Sequence, residues 1–231
     1  MVTPLVIMPV KDALPMAERA IRAVVESGYS PTVYDDFSTP ENAARLDALS
    51  QDLGFAVIHL RDLTDHPSPN YRLVLIHAQK KALENGQDLV IIESDVLVRP
   101  KTIESLQQAV TPQTGMVAAV TQDKAGQVNF PYEYAKRLHT DGVCRKRLSF
   151  CCTLLTNALL NACDFEQLNP RKDWYDVHIS HLSRRLGFEN ILQVSNPVTH
   201  IPHSSRPWKR LKYTNPLLYY WRKWILRRDS I

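Results

Sequence analysis

The stretch that decides the fold reads DLVIIESD and spans residues 88–95. Its apolar part shows no polar alternation, and such continuous runs are typical of a strand buried on both faces, as in a parallel sheet. Three polar residues, Glu93, Ser94 and Asp95, follow at once. Ligands of open α/β sheets bind beyond the carboxyl ends of the strands. The stretch therefore predicts a buried strand at 88–92 and acidic groups at the edge of a binding site.

The chain on either side of this strand alternates between short apolar runs and helical patterns. The apolar runs predict further strands at residues 5–10, 31–35, 55–60 and 116–121. Helical spacing of apolar residues predicts helices near 16–28, 41–53, 70–85 and 100–109. Alternation of this kind favours one α/β sheet with right-handed crossovers.

The second half of the chain is less regular. Residues 122–148 have the pattern of a loop region that contains Tyr, Lys and Arg. After it, the sequence predicts a strand at 150–156, helices at 157–163 and 174–186, and a last strand at 191–194 before Pro197. This half is expected to complete the same domain.

The charge is unevenly distributed along the chain. Of 28 Lys and Arg residues, eight fall in 206–231, a segment that holds only one of the 24 Asp and Glu residues. The body at 1–205 is therefore net acidic, which argues against a nucleic-acid partner. Trp and Tyr interleave with the cations of the tail and suit the headgroup region of an anionic membrane. Packing of the tail on the domain or on a second subunit is the alternative.

The cysteines and the N-terminus indicate a cytoplasmic chain. The four cysteines (Cys144, Cys151, Cys152 and Cys163) fit no zinc-binding spacing, and we expect them to be reduced core residues. The N-terminus lacks the pattern of a signal peptide, and no apolar run has the length of a membrane-spanning helix. We expect a cytoplasmic location, with peripheral contact at the inner face of the membrane through the tail.

Two acidic clusters follow predicted strands: Asp35 and Asp36 after the second, and Glu93 and Asp95 after the fourth. An acid at a strand end is often a helix cap, but two acidic strand ends in one sheet can place carboxylates on a hard cation. With only 7 glycines, the chain has neither a Rossmann fingerprint nor a Walker loop. Phosphate groups would therefore need a divalent metal, Mn²⁺ or Mg²⁺, or side-chain cations.

The order of these segments resembles family 2 glycosyltransferases, whose pattern has an Asp-Asp-x-Ser-Thr segment followed by an Asp-x-Asp segment. Here residues 35–39 read DDFST and residues 93–95 read ESD. The resemblance implies the GT-A fold, an α/β domain with a mixed, mostly parallel central sheet flanked by helices. It also implies that Asp36, or its neighbour Asp35, contacts the nucleotide base.

Further donor contacts follow from the same resemblance. Pro9 and Val10 would line the base pocket, and Arg72 would reach the base or the phosphates. Asp95 would be the main metal ligand. Glu93 would lie near the ribose or the metal, with Ser94 beside the donor.

The spacing of three residues in the second half extends the resemblance. Asp176, Gly187 and His200 lie at the intervals that separate the catalytic Asp, a Gly and a His in the family. The resemblance implies that Asp176 is the catalytic base and that His200 is a ligand of the metal or the diphosphate. Asp173 is a rival for the role of base.

The resemblance thus implies a metal-dependent inverting glycosyltransferase that moves one sugar from a nucleotide sugar, most commonly a UDP-sugar, to an acceptor hydroxyl. We expect a saccharide or lipid-linked acceptor and a place in cell-surface glycan or lipid-linked saccharide assembly. A nucleotidyltransferase and a non-catalytic nucleotide- or sugar-binding module are the alternatives. The predicted division is a GT-A domain at 1–205, with a donor-binding half at about 1–121 and an acceptor-binding half at 122–205, and a basic aromatic tail at 206–231.

Overall fold

A computed structural model describes residues 2–171, 174–201 and 215–225 of the chain. Nine strands lie in these ranges: β1 Leu5–Val10, β2 Thr32–Asp35, β3 Ala56–His59, β4 Leu89–Ile92, β5 Val96–Leu97, β6 Thr114–Gln122, β7 Gly142–Val143, β8 Cys152–Leu155 and β9 Glu189–His200. The α-helices described are α1 Leu14–Glu26, α2 Pro40–Leu53, α3 Tyr71–Glu84, α4 Thr102–Gln108, α5 Asn157–Ala162, α6 Tyr175–Arg185 and α7 Pro216–Ile225. Short 3₁₀ turns occur at Leu60–Asp62, Glu133–Arg137 and Phe165–Gln167.

The strands form one mixed sheet in the order β3-β2-β1-β4-β8-β6-β9-β5, with β7 paired to β9. The four strands from β3 to β4 are parallel neighbours, as the alternation of strands and helices predicted. Strand β8 then inserts antiparallel between β4 and β6. The α/β class is confirmed.

The core lies in two layers, one on each face of the sheet. Along β1, the side chains of Leu5 and Ile7 join one layer and those of Val6 and Met8 join the other. Helices α3, α5 and α6 cover the first layer, and α1, α2 and α4 cover the second. Burial on both faces is the reason why the strand sequences show no polar alternation.

Most predicted elements are present, with ends that differ by one or two residues. The sequence did not predict β5 and β7, because strands of two residues leave no periodic pattern. Cys144, Cys151 and Cys152 are buried and Cys163 is partly buried, and all four are free thiols. None of the helices in the described ranges combines the length and apolar character needed to cross a bilayer.

Strand β9 is longer than predicted. The apolar pattern predicted a strand at 191–194 that ends before Pro197, but the strand continues to His200. A register shift interrupts the pairing of β9 with β6 around Pro197, so the missing N–H of the proline costs no ladder hydrogen bond. The extension carries His200 to a position opposite Val96 of β5.

Candidate active site

Strands β4, β8 and β9 meet at the acidic turn, which is formed by residues 93–95 after β4. The backbone N–H of Glu93 donates to the carbonyl of Cys151, at 3.0 Å, just before β8 begins. On the other side, the N–H of Ile201 donates to the carbonyl of Asp95, at 2.9 Å, at the end of β9. The turn is therefore held between β8 and β9, and His200 faces it from the end of β9.

The side chains at this point form a compact group of potential metal ligands. One ligand atom from each of Glu93, Cys151 and His200 lies within 4.8 Å of the other two. Nε2 of His200 is 3.4 Å from Oδ2 of Asp95, and both residues are buried. Nδ1 of His200 is buried and has no hydrogen-bond partner among the described residues. Two carboxylates and an imidazole are a donor set that fits a divalent cation such as Mn²⁺.

Asp176 is a partly buried carboxylate in the first turn of α6. Its Oδ2 accepts a hydrogen bond of 2.6 Å from the Tyr132 hydroxyl, and its Oδ1 accepts one of 2.8 Å from the N–H of Val177. Burial raises the pKa of Asp176 to about 6, and the charge of Glu93 adds to the rise, although both hydrogen bonds oppose it. A carboxyl group with this pKa is suited to general acid–base chemistry near neutral pH.

Cys151 shows that the catalytic candidate and the metal candidates share one neighbourhood. Burial raises the pKa of its thiol well above the usual value, and the carboxylates of Glu93, Asp95 and Asp176 add to that rise. Acids from two distant segments, Glu93 and Asp95 in one and Asp176 in the other, therefore act on the same sulfur atom. The predicted base thus lies in the same neighbourhood as two of the predicted metal ligands.

A shelf of aromatic rings lies beside Asp176. The rings of Tyr132 and Tyr134 are stacked, with centroids 6.2 Å apart and planes 9° apart. The Arg147 guanidinium lies over the Tyr132 ring at 4.6 Å, and the Lys146 ammonium lies over Tyr134 at 5.2 Å. Because Arg147 and Lys146 are exposed, this shelf presents cations at the rim of the site.

The carboxylates of the first acidic cluster, Asp35 and Asp36 at the end of β2, form hydrogen bonds with other groups of the same chain. Asp35 is fully buried, and its Oδ2 lies 2.8 Å from Nδ1 of His59. The other ring nitrogen of His59 lies 2.9 Å from Oδ1 of Asp47. Burial opposes protonation of His59, but the hydrogen bonds to Asp35 and Asp47 outweigh it and raise its pKa. Asp35 is therefore the buried end of an Asp–His–Asp chain whose other end, Asp47, is exposed.

Asp36 holds together the loop that leads into α3. Its carboxylate accepts hydrogen bonds from the Ser68 hydroxyl, at 2.7 Å, and from the backbone and side-chain nitrogens of Asn70, at 3.0 and 2.9 Å. Its own N–H donates to the carbonyl of Val10, at 2.8 Å. Val10 is buried and Pro9 is partly exposed, so the predicted base-pocket residues meet at one edge of the sheet.

No protein-family model and no curated protein sequence matches the chain. Solved structures, however, resemble it. TarS from S. aureus aligns with a TM-score of 0.65 at 13% identity, over 86% of this chain and 60% of that chain. Glucosyl-3-phosphoglycerate synthase from Mycobacterium tuberculosis, in complex with Mn²⁺, uridine diphosphate and glucosyl-3-phosphoglycerate, aligns with a TM-score of 0.53 at 17% identity, over 90% of this chain and 74% of that chain. A197 from STIV aligns with a TM-score of 0.52 at 11% identity, over 87% of each chain.

The chain has the GT-A fold. This confirms the fold that the resemblance of the ordered segments implied. At these low identities the likeness concerns the fold alone. The chain spans 60% of one TarS structure and 39% of a longer one.

One predicted donor residue, Arg72, is bonded elsewhere in the fold, whereas Ser94 lies in the acidic turn between Glu93 and Asp95. The Arg72 guanidinium donates to the backbone carbonyls of Leu168, at 2.8 Å, and Glu166. These bonds tie α3 to the 3₁₀ turn at Phe165–Gln167 and do not reach the other predicted donor residues. Ser94 lies partly buried in the turn between β4 and β5.

Asp173, the rival base, lies outside the described residues. Asp176 is the predicted base that the GT-A fold brings to the acidic turn. Cys151, Tyr132, Arg147 and His59 were not predicted as site residues. Cys151, Tyr132 and His59 contact the predicted residues Glu93, Asp176 and Asp35, and Arg147 lies over the ring of Tyr132. These contacts arise only in the tertiary structure, and no motif or spacing in the sequence marks the four residues.

Proposed function

We propose that the chain is a metal-dependent glycosyltransferase that transfers one sugar from a nucleotide sugar to an acceptor hydroxyl with inversion. The observation that carries the proposal is that Glu93 and His200 belong to one group of potential ligand atoms, with Asp95 beside His200, and that Asp176 is near enough for the charge of Glu93 to raise its pKa. The synthase that resembles this chain holds Mn²⁺ and uridine diphosphate, which supports a UDP-sugar as the first donor to test.

Glu93, Asp95 and His200 would hold the divalent cation. When bound, the cation supplies Lewis-acid stabilisation of the negative charge on the departing nucleoside diphosphate. The burial of Asp95 and His200 keeps water away from these groups, which strengthens their electrostatic effect on the leaving group.

Asp176 would accept the proton of the acceptor hydroxyl as that oxygen attacks the anomeric carbon. With a pKa raised to about 6 by burial, Asp176 is mostly ionised at neutral pH and is still a stronger base than an exposed carboxylate. The Tyr132 hydroxyl and the Val177 N–H fix the orientation of its two oxygens. One displacement at the anomeric carbon inverts its configuration.

The donor would bind along the carboxyl ends of β1, β2 and β4. Val10 and Asp36, which are joined by a backbone hydrogen bond, would border the base pocket with Pro9. In this proposal residues 1–121 form the donor half and 122–205 the acceptor half, and the shelf of Tyr132 and Tyr134 lies on the acceptor side.

The first experiment is a thermal-shift and calorimetry panel of UDP, GDP, CMP and TDP, each with Mn²⁺ and with EDTA. Binding to the folded state alone raises the unfolding free energy by about 2.7 kcal/mol at a ligand concentration 100 times the dissociation constant. We expect metal-dependent stabilisation by one nucleotide, lost in Asp95→Asn and kept in Asp62→Asn, an exposed acid used as the matched control.

Turnover assays with the matching sugar nucleotide then separate the three candidate functions. Sugar transfer or donor hydrolysis supports the glycosyltransferase. Nucleotide binding without either reaction indicates the non-catalytic module. Release of pyrophosphate from a nucleoside triphosphate indicates the nucleotidyltransferase.

A second part of the proposal concerns the tail, which would bring the enzyme to a lipid-linked acceptor at an anionic bilayer. On α7, Leu217, Tyr220, Trp221 and Ile225 are exposed, whereas Tyr219 on the opposite side is buried. The exposed residues recur at helical spacing and form one apolar face. Since 206–231 also carries eight Lys and Arg residues, an anionic lipid surface matches both the face and the charge.

Vesicle flotation tests this part. We expect the full chain to bind vesicles that contain phosphatidylglycerol and not vesicles of phosphatidylcholine alone, and Trp221→Glu to abolish binding. Leu186→Glu, which changes an exposed apolar residue of the body, is the matched control. If vesicles do not bind and the chain instead sediments as a dimer that Trp221→Glu dissociates, the face is a subunit interface and the membrane proposal is wrong.

A further inference from the structure

Cys151 is a buried thiol inside the candidate metal site, and the mechanism above does not use it. Its position is set by the sheet, because Cys152 pairs with Ile92 and the carbonyl of Cys151 accepts the Glu93 N–H. The sulfur lies 3.6 Å from Oε2 of Glu93. The pairing of β4 with β8 therefore holds the backbones of Cys151 and Glu93 side by side, and this short distance between their side chains follows from it.

The surroundings of this sulfur differ from those of an ordinary core cysteine. The sulfur of Cys151 is 3.2 Å from the Ser149 hydroxyl and lies in a group with Glu93 and His200 whose ligand atoms are all within 4.8 Å. Cys152, the next residue, is also buried, but burial is the cause of its raised pKa and no neighbouring carboxylate adds to it. A cysteine that served packing only would not need an imidazole and a carboxylate beside it.

We infer that the Cys151 sulfur is a direct ligand of the cation held by Glu93, Asp95 and His200, and that it biases the site against Mg²⁺. The inference rests on the metal site of the proposed function. Sulfur is a soft donor that suits Zn²⁺, Cd²⁺ and Co²⁺ best, and it disfavours Mg²⁺ more than the larger transition-metal ion Mn²⁺, although both prefer oxygen ligands. On binding, the thiol gives its proton to solvent and a metal–sulfur bond forms, with no change of oxidation state.

The test begins with Cd²⁺ and Co²⁺ titrations of the full chain, followed by ultraviolet and visible absorption. A metal–thiolate bond gives a charge-transfer band, which we expect in the wild type and in Cys163→Ser but not in Cys151→Ser. Cys163 is the matched control because it is a partly buried thiol of another region. We also expect the preference for Mn²⁺ over Mg²⁺, measured by calorimetry, to fall about tenfold in Cys151→Ser. A band that persists in Cys151→Ser overturns the inference.

A second measurement does not depend on the folding of a variant. X-ray absorption of the Co²⁺-loaded wild type is expected to show one sulfur neighbour of the metal, and a shell of nitrogen and oxygen alone would overturn the inference. The nucleotide panel separates this result from the proposed function. Metal-dependent UDP binding without metal–sulfur signals keeps the glycosyltransferase proposal and removes Cys151 as a ligand. Metal–sulfur signals without nucleotide binding would support Cys151 as a metal ligand and would contradict the glycosyltransferase proposal.

Discussion

The hydroxyl of Tyr132 donates a hydrogen bond of 2.6 Å to Oδ2 of Asp176, across 44 positions of sequence. Tyr132 lies just before the 3₁₀ turn at Glu133–Arg137, and Asp176 lies in the first turn of α6. The bond stabilises the ionised carboxylate and so lowers a pKa that burial raises. Tyr132 is thereby a positioning residue for the proposed base.

The first prediction is that Tyr132→Phe shifts the acid limb of the pH–rate profile to higher pH. Without the hydroxyl, the pKa of Asp176 rises further above 6, because burial is then less opposed. One hydrogen bond contributes about 1 kcal/mol, which corresponds to a shift of less than about one pH unit. The profile of kcat/KM against pH measures it, because that profile reports the pKa values of the free enzyme. A lower rate with an unmoved profile would show that Tyr132 has a structural role only.

The second prediction is that Asp176→Asn reduces sugar transfer by at least about 10²-fold and leaves metal-dependent nucleotide binding unchanged. The amide keeps the shape of the side chain but does not accept the acceptor proton. Transfer assays and calorimetry on the same preparation measure both quantities. An unchanged turnover rate would remove Asp176 as the base and return attention to Asp173.

The third prediction concerns the stability of the same variant. The folded-state pKa of Asp176 is raised from 3.8 to about 6, so its stabilising contribution is present below pH 3.8 and is lost as the pH rises through about 6. At pH 7 the buried charge therefore opposes folding, and Asp176→Asn should raise the unfolding free energy by on the order of 1–3 kcal/mol. Urea unfolding at pH 5 and pH 7 measures this gain, which should be smaller at the lower pH.

The fourth prediction concerns His59, which lies between Asp35 and Asp47. Because these hydrogen bonds raise its folded-state pKa, its contribution is fully present below the unfolded pKa of 6.5 and is lost as the pH rises through the folded pKa. His59→Gln should therefore destabilise the chain more at pH 6 than at pH 9. NMR titration of the imidazole gives the pKa directly, and a value below 6.5 would contradict the prediction.

The fifth prediction separates two roles for Arg72. The resemblance assigned it to the donor, whereas its guanidinium bonds the carbonyls of Leu168 and Glu166. Arg72→Met should lower the unfolding free energy by about 1–3 kcal/mol, because these carbonyls lose a charged donor. Calorimetry of nucleotide binding to the same variant tests whether Arg72 contacts the donor. Weaker nucleotide binding with unchanged stability would restore Arg72 to the donor site.

The extent to which the sequence was informative differs between the two halves of the chain. The run at 88–92 identified its own strand, since burial on both faces requires a continuous apolar pattern. The region at 122–148 gave no such pattern, yet Phe130, Tyr132 and Leu148 are buried in the core. They belong to the core layer that also contains residues of β6, β8 and β9, and periodicity along the sequence does not indicate packing against such distant segments.

The order of apolar runs and acidic segments by itself determined the α/β class and the choice of Glu93 and Asp95, because strand burial and strand-end chemistry are local properties of the chain. The GT-A fold and the candidates Asp176 and His200 came from the resemblance to family 2 glycosyltransferases. Only the tertiary structure decided that these residues meet. The antiparallel insertion of β8 places Cys151 beside Glu93, and the extension of β9 past Pro197 places His200 beside Asp95. Strand pairing between distant segments sets these distances, and no spacing along the chain encodes them.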